Sequence, residues 1–426
     1  MSAHAGKSIG HLELPDATED DEVVLPGSQL PAEGRSFDAV LLAVVIALVG
    51  LGLVMVYSAS AIQNQWHFGD GERLLTRQAS HVVVGLCAML IGLRVDYRWY
   101  RRMAYPMMIG TLLLLVAVLF IGTKLNNATR WISIAGITFQ PSEILKLALV
   151  VYMAYSLEKK RHKVAKFSIG IIPHLMVLGV VAFLLIRQPD FGTTVICSTL
   201  ILGMLFVAGA RLMYIGTIVL FGVALGALAV VTSPYRLDRV MGWLEPNADP
   251  LGISYQVNQS VMAIGSGGLF GKGLGAGQAK LGYVPELWND FIGAAIGEEL
   301  GLVGLAVVCG LFIVLVWRGL KIAFGAREMF GMYLAFGITL VFGLQASVNL
   351  GVVTGLLPNT GLTLPFISNG GTATALALFC VGVLLNISMA REDTWEAERG
   401  EREDDAYTDR VERKRVRYLR RKAGGS

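Results

Sequence analysis

DAVLLAVVIALVGLGLVMVYSASAI (residues 38–62) carries no charge after its leading aspartate. A helix rises 1.5 Å per residue, so about 20 apolar residues cross ~30 Å of hydrocarbon. This run of 25 is long enough for one crossing. A cleaved signal peptide does not fit, because 37 mostly polar residues come first and the run is too long. Nine further apolar stretches follow: 79–95, 103–123, 143–157, 168–186, 191–209, 213–232, 291–317, 329–350 and 371–390. Two are less regular, since 79–95 has polar ends and 143–157 is short and starts with charge.

Charge is sorted the same way. Residues 1–37 hold seven acidic and two basic groups, and 391–426 hold ten and eleven. The 353 residues between hold 15 acidic and 23 basic, or about 11% charged, against roughly a quarter in soluble domains. This excludes a soluble enzyme, a secreted disulfide scaffold and a nucleic-acid-binding domain. Cys87, Cys197, Cys309 and Cys380 all lie in apolar runs without a CxxC pair, as buried free thiols do. The expected fold is an all-α polytopic membrane protein with ten transmembrane helices (38–390) between disordered cytoplasmic tails (1–37 and 391–426).

Basic residues in short loops set the orientation. Arg94, Arg98, Arg101 and Arg102 follow the second span, and Lys159, Lys160, Arg161, Lys163 and Lys166 follow the fourth. Arg211 follows the sixth, and Arg318, Lys321 and Arg327 the eighth. The alternate loops are poorer, which puts both termini in the cytoplasm. In the C-terminal tail, RVERKRVRYLRRK (410–422) suits anionic lipid or a cytoplasmic partner.

The large extracytoplasmic loop between helices 7 and 8 (233–290) is by far the longest, and loops beyond about 15 residues are usually functional or disordered. It carries aromatic and proline anchors (Tyr235, Trp243, Pro246, Pro250, Tyr255), then IGSGGLFGKGLGAG (264–277), then GYVPELWND (282–290). The glycine run is no nucleotide site: Lys272 precedes Gly273 rather than Ser or Thr, and no βαβ pattern surrounds it. It reads as a flexible re-entrant loop whose backbone amides can approach an anionic headgroup.

Carboxylates inside spans are costly and therefore informative. Glu143 and Lys146 share a helix face as an ion pair. Glu298 and Glu299 need internal partners that the sequence does not name. Asp290 stands where the long loop re-enters the membrane, so desolvation raises its pKa and suits it to accept a proton. Its structural alternative is the N-cap of the eighth span. The six histidines are scattered, without a zinc pattern.

The motifs resemble the SEDS family of bacterial cell-wall glycosyltransferases (shape, elongation, division and sporulation proteins) over essentially all of 38–390. The likeness is carried by ATRWISIAGITFQPSEILKLALV (128–150), RQPDFGTTVI (187–196), DPLGISYQVNQSVMAIGSGGLFGKGLG (249–275), GYVPELWNDFIGAAIGEELG (282–301) and NLGVVTGLLPNTGLTLPFISNGGTA (349–373). GLTLPFIS (361–368) and the long tails place it nearer the division branch than the elongation branch. The resemblance implies that Asp290 is catalytic. It makes Arg130, Gln140, Ser142, Glu143, Lys146 and Lys272, all inside matched motifs, the substrate-binding candidates, with Arg236 and Arg239 as further cations. Where relatives have His-Thr before the aspartate this chain has Trp288 and Asn289, and Asn359 and Asn369 also depart from the pattern.

The implied substrate is lipid II, a disaccharide-pentapeptide on undecaprenyl diphosphate, polymerised into β-1,4 glycan at the outer face of the inner membrane during septal synthesis. The implied partners are a class B penicillin-binding protein and other divisome membrane proteins, without nucleic acid. No cofactor is certain: a divalent cation (Mg or Mn) is open, and no metal ligands are assigned. An elongation polymerase, a lipid II flippase and a recruiting scaffold are the competing readings.

Overall fold

In a computed structural model, residues 37–389 are described apart from 126–127, 135–136, 246–251 and 253. The two expected tails and the anchors Pro246 and Pro250 lie outside the described residues.

The helices are α1 (Ala39–Phe68), α2 (Arg73–Arg94), α3 (Arg98–Ile121), α4 (Pro141–Lys159), α5 (Ile172–Arg187), α6 (Phe191–Val207), α7 (Leu212–Val231), α8 (Pro234–Leu244), α9 (Tyr255–Gly267), α10 (Ile292–Glu299), α11 (Gly301–Phe324), α12 (Met329–Val353) and α13 (Thr372–Met389). Local signals set their ends. The Asp38 carboxylate accepts from Leu41 N at 2.9 Å to cap α1, and Gly69 closes it in the left-handed region at φ 70. Pro141 opens α4, where the missing N–H costs nothing.

Helices occupy all ten expected stretches. Eight are long and apolar enough to cross a membrane, the fourth of them running from Phe167 through α5. The others are α4, which carries Glu143, Lys146, Glu158 and Lys159, and α6, which has 17 residues. Despite its charges α4 is a central post, with 15 of its 19 residues buried. By contrast, α7 buries none.

The all-α expectation needs one correction. Between α3 and α4 lies a three-stranded antiparallel sheet of β1 (Thr123–Leu125), β2 (Ala128–Ile134) and β3 (Ile137–Phe139). Runs of Thr and Ile broken by Asn126–Asn127 and Ala135–Gly136 are too short for helices and favour strands. The thiols need another: Cys197 and Cys380 are buried, but Cys87 is exposed and Cys309 half-buried, on faces where an apolar solvent makes burial in protein unnecessary.

The expected span 291–317 is broken. Its first turns are α10, and α11 restarts at Gly301, whose φ is 70. The glycine-rich loop repairs the break: Lys272 N and Gly273 N donate to the Glu298 and Glu299 carbonyls, and Leu302 N and Val303 N donate to the Gly268 and Leu269 carbonyls. Backbone groups freed in an apolar setting must be satisfied by protein. The loop is thus pinned rather than flexible, and the anions its amides meet are the chain's own. The Glu298 carboxylate accepts from Gln278 N, Ala279 N and Lys272 Nζ at 2.9, 2.9 and 2.8 Å. That of Glu299 accepts from Gly275 N, Lys280 Nζ and Ser58 Oγ at 3.0, 3.0 and 2.6 Å. Gly271 is required here: its φ is 78, and a Cβ would collide with the Glu299 carbonyl. Gly271→Ala is expected to destabilise the protein by about 1–3 kcal/mol, measured as a lower unfolding temperature in detergent.

At one end of the bundle, Arg101 bridges Glu158 and Glu328 at 2.8 and 2.7 Å, and Arg318 holds Asp38 at 2.6 Å. α4 runs from this end to the opposite one, where the candidate site lies.

Candidate active site

A cavity of about 880 Å³ opens at that opposite end. Its walls come from distant parts of the chain: Arg130 and Trp131 of β2, Gln140 before α4, Arg236 and Arg239 of α8, Gln256 of α9, Glu286, Asn289 and Asp290 before α10, and the segment from Asn359 to Gly370 after α12. The long loop expected at 233–290 therefore contributes two helices and the approach to α10.

Asp290 is half-buried in this wall. Its Oδ1 is shielded and has no hydrogen-bond partner. It does not cap α10, whose N-terminal position is Phe291 without any side-chain cap bond. Asp190 shows the contrast, since its carboxylate accepts from Thr193 N at 3.2 Å to cap α6. Burial pushes the Asp290 carboxyl up to about 6, and Glu286 adds to this, while Arg239 opposes it. A carboxyl with that value is mostly ionised at neutral pH yet basic enough to take a proton.

The cations surround it differently from one another. Arg130 donates from Nε to the Gln188 carbonyl at 3.1 Å and from Nη2 to the Pro189 carbonyl, and its Nη1 is 4.0 Å from Asp190. Arg239 donates to the Asn359 carbonyl at 2.9 Å and Arg236 to the Ala229 carbonyl at 2.7 Å. Their i, i+3 spacing puts both on one face of α8. Glu143 and Lys146 form the expected pair at 2.7 Å, both buried. They line a smaller cavity of about 40 Å³ that shares Thr363, Gly370 and Ala373 with the main one. Gln140 lines the cleft and donates to Ser142 Oγ at 2.9 Å. Lys272 is not brought there; it pairs with Glu298 at 2.8 Å in the glycine-rich loop.

The residues that depart from the family pattern gather at the same wall. Asn359 donates to Gln256 Oε1 at 2.9 Å, and Asn369 N donates to the Trp288 carbonyl at 3.1 Å. Sequence reasoning missed Gln256, Thr360 and Asn349. The last offered a signal, as an amide at the end of an apolar run. Among the described residues no group of three or more His, Cys, Asp or Glu is placed to hold a metal ion. Asp290 and Glu286 alone do not complete a resident divalent-cation site.

The family model described as cell cycle protein (FtsW/RodA/SpoVE) matches residues 38–393. A probable peptidoglycan glycosyltransferase FtsW of Trichlorobacter lovleyi is 46% identical over 360 residues, 84% of this chain and 94% of the relative. The stage V sporulation protein E of Bacillus subtilis is 41% identical over 354 residues, 82% and 96% of the two chains. Among solved structures, a chain from a study of polymerization and crosslinking by a peptidoglycan synthase complex superposes with a TM-score of 0.71 at 29% identity, over 84% of this chain and 98% of that one. The rod shape determining protein RodA of Thermus thermophilus gives 0.61 at 27%, over 84% and 97%. With its helices, its cleft and a match from residue 38 to residue 393, this multi-pass membrane chain belongs to the FtsW/RodA/SpoVE family of cell cycle proteins.

Proposed function

We propose that the protein is a peptidoglycan glycosyltransferase that polymerises lipid II at the outer face of the cytoplasmic membrane during septal wall synthesis. The observation that carries this is the unpartnered Asp290 carboxylate oxygen in a cleft flanked by Arg130, Arg236 and Arg239. Ten crossings, with α4 and α6 included and α10 continued by α11, put the cleft outside when the basic loops lie in the cytoplasm. No nucleotide-sugar pool exists there, so the donor arrives on a lipid.

Asp290 takes the proton of the acceptor 4-hydroxyl as that oxygen attacks the anomeric carbon of the donor. The bond to undecaprenyl diphosphate breaks with inversion, and an α-linked donor gives a β-1,4 glycan. Arg130, Arg236 and Arg239 are suited to the charge developing on the leaving diphosphate. Glu143 and Lys146, just below, orient substrate or hold the cavity's shape. An apolar groove of about 1010 Å³ between α5, α6 and α7 ends at Phe191 and Ala229, beside Pro189 and Arg236 of the cleft, and suits the polyprenyl tail. A class B transpeptidase is the expected partner.

The sign of the pH dependence follows from Asp290. A base must be ionised, so polymerisation is expected to rise with pH through about 6 and level off above 7. The check is the initial rate of glycan formation from lipid II by purified protein with its transpeptidase, between pH 5 and 8. A rate independent of pH over that window removes Asp290 from the rate-determining proton transfer.

A further inference from the structure

Asn349 lies near the end of α12 with 1% of its surface exposed. Its Nδ2 donates to two backbone carbonyls, that of Asp290 at 2.8 Å and that of Leu362 at 2.7 Å. Those carbonyls belong to two separate segments that line the cleft, one leading into α10 and one following α12. Both amide hydrogens are used, so the side chain has one working orientation. Its effect reaches the carboxylate: Gly361, next to the tethered Leu362, is placed so that a Cβ there would stand 3.9 Å from Asp290 Oδ2. The Asp290 side chain makes no cap bond and its Oδ1 has no partner. Its placement therefore depends on the backbone that carries it.

We propose that Asn349 is a positioning residue for the reaction, clamping the Asp290 backbone against the 359–364 segment so that the carboxylate meets the acceptor hydroxyl. This rests on the reading of Asp290 as the base. A displacement of about 1 Å at a reacting group can cost roughly 100-fold in rate, whereas contacts to the bulk of a large lipid substrate are little affected.

The test uses full-length protein with its class B partner and lipid II, and compares Asn349→Leu, which has no donor, with Asn349→Thr, which keeps one. For Asn349→Leu, turnover per folded molecule is expected to fall roughly 10- to 100-fold, with KM for lipid II within about two-fold. The acid limb of its pH profile is expected to move as the carboxylate shifts in its pocket. Asn349→Thr is expected to be intermediate, and decides by the same criteria if the leucine variant does not fold. Turnover near wild type, a loss matched by a rise in KM, or a loss with an unmoved acid limb overturns the proposal. Asp290→Asn in the same assay separates the two readings. If that variant is active, the base assignment fails; if it is inactive beside a normal Asn349→Leu, only the present inference fails.

Discussion

Asp290→Asn is expected to lower glycan polymerisation by roughly 10²- to 10⁴-fold, the usual contribution of a positioned general base. The amide is nearly isosteric and cannot take the proton. Because the Asp290 carboxylate caps no helix and its Oδ1 has no partner, the change breaks no helix cap and no bond at that oxygen. It also removes a carboxyl whose burial is unfavourable to its charged form. The variant should therefore purify in normal yield, unfold at or slightly above the wild-type temperature, and still bind lipid II. Polymerisation within about ten-fold of wild type would place the base elsewhere in the cleft, with Glu286 the next carboxylate to examine.

The second large effect lies in stability. Lys280 and Glu299 pair at 3.0 Å with side chains only 5% and 2% exposed. Removing one partner of such a pair strands the other charge, which costs about 3–5 kcal/mol. Lys280→Met leaves the Glu299 carboxylate to Ser58 and Gly275 N alone, and is expected to destabilise the protein by that amount. Lys280→Met combined with Glu299→Gln, which strands no charge, is expected to recover much of the loss. Unfolding in detergent of the single and double variants measures both. A single variant within about 1 kcal/mol of wild type would mean that water reaches the pair.

What is legible in this sequence depends on the kind of signal. Periodic apolar runs and loop arginines are local, and they marked the helices and the end of the bundle where Arg101 meets Glu158 and Glu328. The Glu143–Lys146 pair was readable because three residues on a helix fix a geometry. Asp290 was legible by its place at a membrane re-entry, and its role by family likeness. The rest is tertiary. Nothing local tells that Lys272 serves Glu298 rather than the cleft, or that a glycine run mends the helix break at Gly301. Arg239, Gln256 and Asn359 become neighbours only when three separated segments fold together. The sheet at 123–139 is not legible locally because its strands are too short to show a period.

This chain is expected to make glycan bonds, rather than to move a lipid precursor or recruit others that do so. The most direct measurement supplies lipid II to the purified protein and its transpeptidase in liposomes, and resolves the products by length. Polymeric glycan that disappears with Asp290→Asn is the predicted result. Lipid II that crosses the bilayer or stays put, without lengthening, would contradict the account.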